Sequence, residues 1–216
     1  MQIECWENQA AIWVIESPGI MRGYLGELLC QFEGEEGRFV LSEEDKIWDI
    51  SKQAELILNP FEVDVNDKKF TAKAYLELKE LALNEDYYLE TQQLISSITA
   101  FFMEIERGAS VRLDYGEADI TQIFKAFGVR IDDCENEMVG KLGQYLHVLS
   151  KLMRKKAVIF FNLSSYLEPW EIERVVQEAF YLKMYVILME TREIDIAIPK
   201  KYYITQTSHI GFAYAP

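Results

Sequence analysis

Val158 to Phe161 is a run of β-branched and aromatic residues, and it ends in Asn162 where phosphate-transfer chemistry would call for an acid. In a phosphate-loop NTPase the comparable buried strand ends in Asp, which helps to hold Mg²⁺. An amide carries no charge for that task. The first apolar strand, Ala11 to Glu16, runs into Ser17-Pro18-Gly19, with Gly23 and Gly26 further on. No Gly-Lys-Ser/Thr follows to cradle phosphates. The layout is that of a nucleotide-binding type of α/β scaffold without catalytic equipment, which points to binding or assembly. Ser164 and Ser165 follow the strand where α/β hydrolases place a nucleophile, but the glycines of a nucleophile elbow are missing. His147, in an apolar helical stretch, and His209 have no nucleophile at a recognisable spacing.

The elements that would position these residues fall into two kinds. Near the ends, strand and helix alternate: strands are expected over 1–6, 11–16 and 38–41, with a helix over 19–32. The closing segment repeats the scheme, with a strand over 157–163, a helix from Pro169 to about Leu182, a strand over 185–189 and edge strands over 202–205 and 210–214. A strand, helix, strand unit implies parallel pairing with a right-handed crossover. The middle reads as helices over 69–83, 90–107, 120–127 and 138–153, with Gly108 as a stop. The expected architecture is an α/β head from residues 1–59 and 153–216, discontinuous in sequence, with an α-helical leg inserted over 60–152.

Bulk properties bound the function. The 216 residues are half hydrophobic, enough for one substantial core. The longest apolar runs are far too short to cross a bilayer, and no basic segment leads into one at the amino end, so a cytoplasmic protein is expected. Cys5, Cys30 and Cys134 are widely spaced and odd in number, as reduced thiols would be. Trp6, Trp13, Trp48 and Trp170 are dispersed, which suits core or subunit contacts better than a base-stacking platform. The net charge of -14 repels phosphate backbones unless the bases are segregated on one face or a cation intervenes. Charges do segregate along the chain. Acids gather at Glu33, Glu35, Glu36 and Glu43 to Asp45, and again at Asp132, Asp133, Glu135 and Glu137; bases gather at Lys68, Lys69 and Lys73 and at Lys151 with Arg154 to Lys156.

Several segments carry a family resemblance in order: Val14 to Pro18, Gln31 to Ser42, Ala54 to Pro60, Val65 to Lys69, Ala82 to Glu90, Phe124 to Ile131 and the Asn162 strand. Together they resemble the Csn-two family, the CRISPR-associated adaptation proteins of type II-A systems. The resemblance implies a degenerate P-loop ATPase-like head with a helical leg and no hydrolytic activity. It also implies a homotetrameric ring that takes double-stranded DNA ends through its opening, supported by bound Ca²⁺. Such a ring acts in spacer acquisition with the adaptation integrase pair and the type II effector nuclease.

Calcium takes six to eight oxygen ligands and suits carboxylate-dense loops. The expected metal ligands are Asp114, Glu117 and Asp119 after the Gly108 turn, and Asp132, Asp133 and Glu135 after the next helix. Helix capping by Asp119, Glu117 or Asp133 is the competing explanation. Family members can carry an acid directly after the tyrosine, and here that position is Gly116. For DNA, phosphate contacts without base reading are expected from Lys68, Lys69, Lys73, Lys125, Arg130 and Lys141. The cluster Lys151, Arg154, Lys155 and Lys156 has an alternative role as positive charge at a helix carboxyl end. A metal-dependent NTPase or nuclease with an unrecognised site is the alternative function, and an acidic protein-binding scaffold is a third.

Overall fold

The computed structural model describes residues 3–43 and 46–205 and the backbone of 210–211. The chain divides into two compact units, one of Met1–Val65 with Asp133–Pro216 and one of Asn66–Asp132. The first is built on a parallel sheet. Its strands are β1 (Ala10–Ile15), β4 (Ala54–Ile57), β5 (Ala157–Phe161), β6 (Tyr185–Glu190), β7 (Lys200–Thr205) and β8 (Ile210–Gly211), in the order β4-β5-β6-β1-β7-β8. All neighbours pair in parallel except β7 and β8. The protein is therefore a mixed α/β fold.

Strand β1 lies between β6 and β7, with Ile12 in register with Leu188 on one side and Tyr202 on the other. All six of its residues are buried, as a strand covered on both faces requires. Because side chains alternate, Ala11, Trp13, Ile15, Ala157, Ile159, Ile187 and Met189 share one face. There they form one cluster with Met21 and Leu28 of helix α1 (Pro18–Phe32). Ile12, Val14, Phe160 and Leu188 alternate with them and are fully buried too. Helix α7 (Pro169–Tyr181) packs on β6, and α6 (Met138–Lys151) packs on α7. Pro169 sits at the first helical position of α7 behind a reciprocal Glu168–Glu171 capping box, a strong start signal.

Four features depart from the sequence expectation. The expected strand over 38–41 is displaced: β2 (Leu41–Glu43) pairs antiparallel with β3 (Lys46–Trp48) in a separate two-stranded ribbon. Arg38 instead forms a bidentate pair with Glu27 of α1, the shorter contact 2.6 Å. Of the expected strand over 1–6, Met1 and Gln2 lie outside the described residues, and Trp6 makes only an isolated bridge to Gln9. The edge strand β4, which follows the four-residue helix α2 (Ile50–Gln53), carried no readable strand signal. Its end is held by Lys155, whose Nζ donates to the carbonyls of Ser51 and Ala54 and pairs with Glu55 at 3.4 Å. Finally, α6 buries Leu142, Leu146 and Leu149 within the sheet unit, whereas the sequence placed it in the insertion.

Leu41 and Trp48 of the ribbon pack against the core of the sheet, and the Glu43 carboxylate adds a polar link. Tyr185 donates its hydroxyl to Glu43 at 3.0 Å and Lys156 donates at 2.7 Å, with the Lys156 ammonium 4.6 Å from the Trp48 ring centroid. Burial and the Glu43 charge push the Tyr185 hydroxyl up to about 12.

The second unit contains α3 (Lys68–Ala82), α4 (Tyr88–Glu106) and α5 (Ile120–Ala126). Asp67 caps α3, accepting from the Lys69 N–H at 2.9 Å. Helices α3 and α5 pack together through Tyr75 and Phe124, whose rings stack at 6.5 Å. Tyr75 also donates to the Val129 carbonyl at 2.7 Å, and Asn66 to that of Ile131 at 3.0 Å. No helix among the described residues is long and apolar enough to cross a membrane.

Phe160→Ala, at a fully buried site in β5, should destabilise the protein by about 3–5 kcal/mol in chemical denaturation. Phe127→Ala, on a side chain 82% exposed, should change stability by no more than about 0.5 kcal/mol. Equal effects would contradict this placement of the core.

Candidate functional site

In an open parallel sheet, ligand chemistry gathers beyond the carboxyl ends of the strands. At that edge β1 connects to α1 through only Glu16 and Ser17. Ser17 is the N-cap residue without a side-chain cap bond, and Pro18 removes one of the amide donors a phosphate would need. The connection is too short to wrap an anion.

Asn162 closes β5 in the left-handed region, with φ of 50°. Its amide donates to Ser165 Oγ at 2.8 Å and its carbonyl accepts from the Thr191 hydroxyl at 3.1 Å. The two serines thus serve the turn at Leu163–Ser165. A strand-terminal acid does exist, one strand over. Glu190 ends β6 fully buried, accepting from the Ser164 N–H at 3.2 Å and the Ser164 hydroxyl at 2.7 Å. Burial raises its pKa, against the lowering effect of the Ser164 and Leu163 donors and the Arg192 charge. Both oxygens are engaged inside the protein, so this acid joins two loops. An acid closing an apolar strand was its only trace in the sequence. His147 lies exposed on α6, and His209 lies outside the described residues.

The expected metal ligands are distributed between the units: Asp114, Glu117, Asp119 and Asp132 in one, Asp133 and Glu135 in the other. Asp119 caps α5, its Oδ1 accepting from the Thr121 N–H at 3.0 Å and the Thr121 hydroxyl at 2.9 Å. The Lys79 ammonium lies 3.3 Å from the same oxygen. The Thr121 donors, with Lys79 behind them, hold this carboxyl below its usual range. Glu135 lies against α6, its Oε2 so close to Gly140 that an added Cβ would come within 2.2 Å. Among the described residues no three His, Cys, Asp or Glu side chains come together to hold a metal ion. Calcium takes six to eight oxygens, and the acids among the described residues are not gathered into such a set.

Of the expected DNA-contacting residues, the second unit contains Lys68, Lys69 and Lys73 on α3, Lys125 in the last turn of α5, and Arg130. The Val129 and Ile131 carbonyls accept from Tyr75 of α3 and from Asn66 just before it, which holds the backbone on either side of Arg130 near α3. Lys68 and Lys69 stand in the first turn of α3, where the helix dipole disfavours cations. The helix dipole therefore gives no reason for them, although the Lys69 ammonium lies 4.8 Å from the Phe70 ring centroid. Lys141 belongs to the other unit, exposed on α6. Lys155 and Lys156 have the structural contacts already described.

The class of protein is thus a parallel-sheet α/β protein with an inserted helical unit. A model of the family described as CRISPR-associated protein (Cas_Csn2) matches residues 31–208, and the chain belongs to that family. A curated relative, the CRISPR-associated protein Csn2 of Enterococcus faecalis, is 28% identical over 76 residues, which is 35% of this chain and 35% of the relative. The matched stretch thus spans about a third of that relative's length. In fold, the chain resembles the crystal structure of Stu0660 of Streptococcus thermophilus, with a TM-score of 0.60 and 13% identity over 97% of this chain and 73% of that one.

Glu190 gives a pH prediction. A carboxyl whose folded pKa is raised contributes most below its unfolded pKa, and that contribution is lost as pH rises through the folded value. Thermal unfolding of the protein and of Glu190→Gln from pH 4 to 7 should show the variant gaining relative to the native chain as pH rises. A difference that stays constant over this range would refute the buried charge.

Proposed function

We propose that this protein is a non-catalytic, double-stranded DNA-end-binding ring subunit acting in CRISPR spacer acquisition. The observation that carries this reading is the family match over residues 31–208. On it, the sheet unit is a degenerate P-loop ATPase-like head. The short β1–α1 connection, the uncharged Asn162 and the internally engaged Glu190 support that view.

The partners in this proposal are three further copies of the chain, the adaptation integrase proteins and the type II effector nuclease. A ring relieves the conflict posed by the net charge of -14, because each subunit can turn its grouped lysines inward and its acids outward. The DNA contacts are assigned to Lys68, Lys69, Lys73, Lys125, Arg130 and Lys141, and they address phosphates, so binding is salt-sensitive and sequence-tolerant. Calcium support is part of the proposal as a property of the assembly, since no such ligand set is gathered among the described residues.

The test compares linear and covalently closed circular duplexes, with calcium and with chelator, alongside mass by light scattering. The expected outcome is binding of linear duplex alone by a tetramer. Equal binding of circles would replace the ring with an open groove, and cleavage of DNA or hydrolysis of ATP would replace it with an enzyme. No binding under any condition would leave a protein-docking scaffold. Changing Lys68, Lys69, Lys125 and Arg130 together to Glu should weaken binding by about 100-fold or more at moderate salt while the mass stays unchanged. Undiminished binding would show that DNA meets another surface.

A further inference from the structure

The carboxyl end of α4 and the segment after it enclose an open cleft of about 330 Å³. The helix stops as Gly108 donates to the Ile105 carbonyl at 3.0 Å and Ala109 to that of Glu106 at 2.9 Å. The chain then turns back, and Glu106 holds the return. One of its oxygens accepts from the Leu113 N–H at 2.8 Å, the other from the Tyr115 hydroxyl at 3.1 Å. Tyr115 also stacks on Phe102, with ring planes 11° apart. Residues 107–112 are therefore a bulge clamped at its base, with Arg107 at one end, Arg112 at the other and Ala109 and Ser110 between them. All four line the cleft.

Both arginines are exposed, and neither has an ion-pair partner among the described residues. In a chain with 36 acids against 22 bases, an acid-poor cleft with two unpaired guanidiniums calls for an explanation. Glu106 also lines the cleft, but both its oxygens already accept hydrogen bonds from Leu113 and Tyr115. The negative end of the α4 dipole would account for Arg107 alone. It does not account for Arg112, which lies beyond the helix and is returned to the same cleft by the Glu106 clamp. Guanidinium forks match phosphate oxygens bidentately, Ser110 adds a hydroxyl, and the small Gly108-Ala109-Ser110 run lets a ligand backbone come close.

We infer that the cleft between Arg107 and Arg112 receives a backbone phosphate of duplex DNA. Arg107 and Arg112 are the contacting residues, and Glu106 is a positioning residue that holds them on one bulge. This inference rests on the DNA-binding reading and adds two contacts to it. A free phosphate or a nucleotide offers the same chemistry, so the experiment separates these sources.

Duplex affinity of the full chain is measured from 50 to 300 mM NaCl for the native protein and for Arg107→Gln/Arg112→Gln, with phosphate and ATP titrated separately by calorimetry. Each lost phosphate contact lowers the slope of log affinity against log salt by about 1. The double variant should therefore bind duplex more weakly, with a slope smaller by about 2 and unchanged thermal stability. Native binding with an undiminished slope in the variant would overturn this inference and leave the DNA reading standing. Loss of phosphate or ATP binding with duplex affinity intact would reassign the cleft to a small ligand. Absence of duplex binding by the native protein would overturn the DNA reading itself and this inference with it.

Discussion

A strand paired in parallel on both sides and covered on both faces leaves no place for an unpaired charge along its length, and β1 is such a strand from Ala10 to Ile15. This constraint orders the rest of the sheet unit. Polar groups are driven to the strand ends, where Trp13 Nε1 reaches Thr205 Oγ1 at 2.9 Å and Glu190 meets Ser164. The edge that serves related architectures as a ligand site is here occupied by bonds within the chain. The same requirement puts α1 on one face and recruits α7 with α6 for the other. It also explains why a lysine as buried as Lys155 is tolerated, since its ammonium finds two carbonyls and Glu55 together.

What the sequence could reveal follows from how local each signal is. The unit β5–α7–β6 was legible because an unbroken apolar run, a proline at the first helical position and a second apolar run each speak for themselves. Strand β4 was not, since Glu55 interrupts its pattern and its anchor, Lys155, lies about a hundred residues away in sequence. The ribbon strand β2 was misplaced by a few residues because its pairing depends on β3 and on Glu43 meeting Lys156 and Tyr185. Helix α6 reads as amphipathic wherever it sits, so its pattern could not say which unit its apolar face would join.

The candidate site was legible in residue type more than in role. Three carboxylates in the 114–119 stretch suggested a metal loop with capping as the rival, and for Asp119 the capping bonds are the ones formed. Grouped lysines at the start of α3 were readable as a cluster, and their position against the helix dipole became visible only with Asp67 placed as the cap. Arg107 and Arg112 gave no pattern because a turn, not a helical period, relates them. Their common cleft depends on a hydrogen bond from Tyr115 to Glu106, nine residues apart.

The bond from Asn66 to the carbonyl of Ile131 has an evolutionary consequence. It joins the two ends of the inserted segment within the helical unit, closing that segment into a loop. The entropy of closing a flexible loop grows only logarithmically with its length, by about 0.6 kcal/mol for each doubling. Insertions or deletions far from Asn66 and Ile131 therefore impose little penalty on the sheet. The helical segment is free to change its span between lineages while the sheet keeps its register, and the reach of such a protein can diverge faster than its framework.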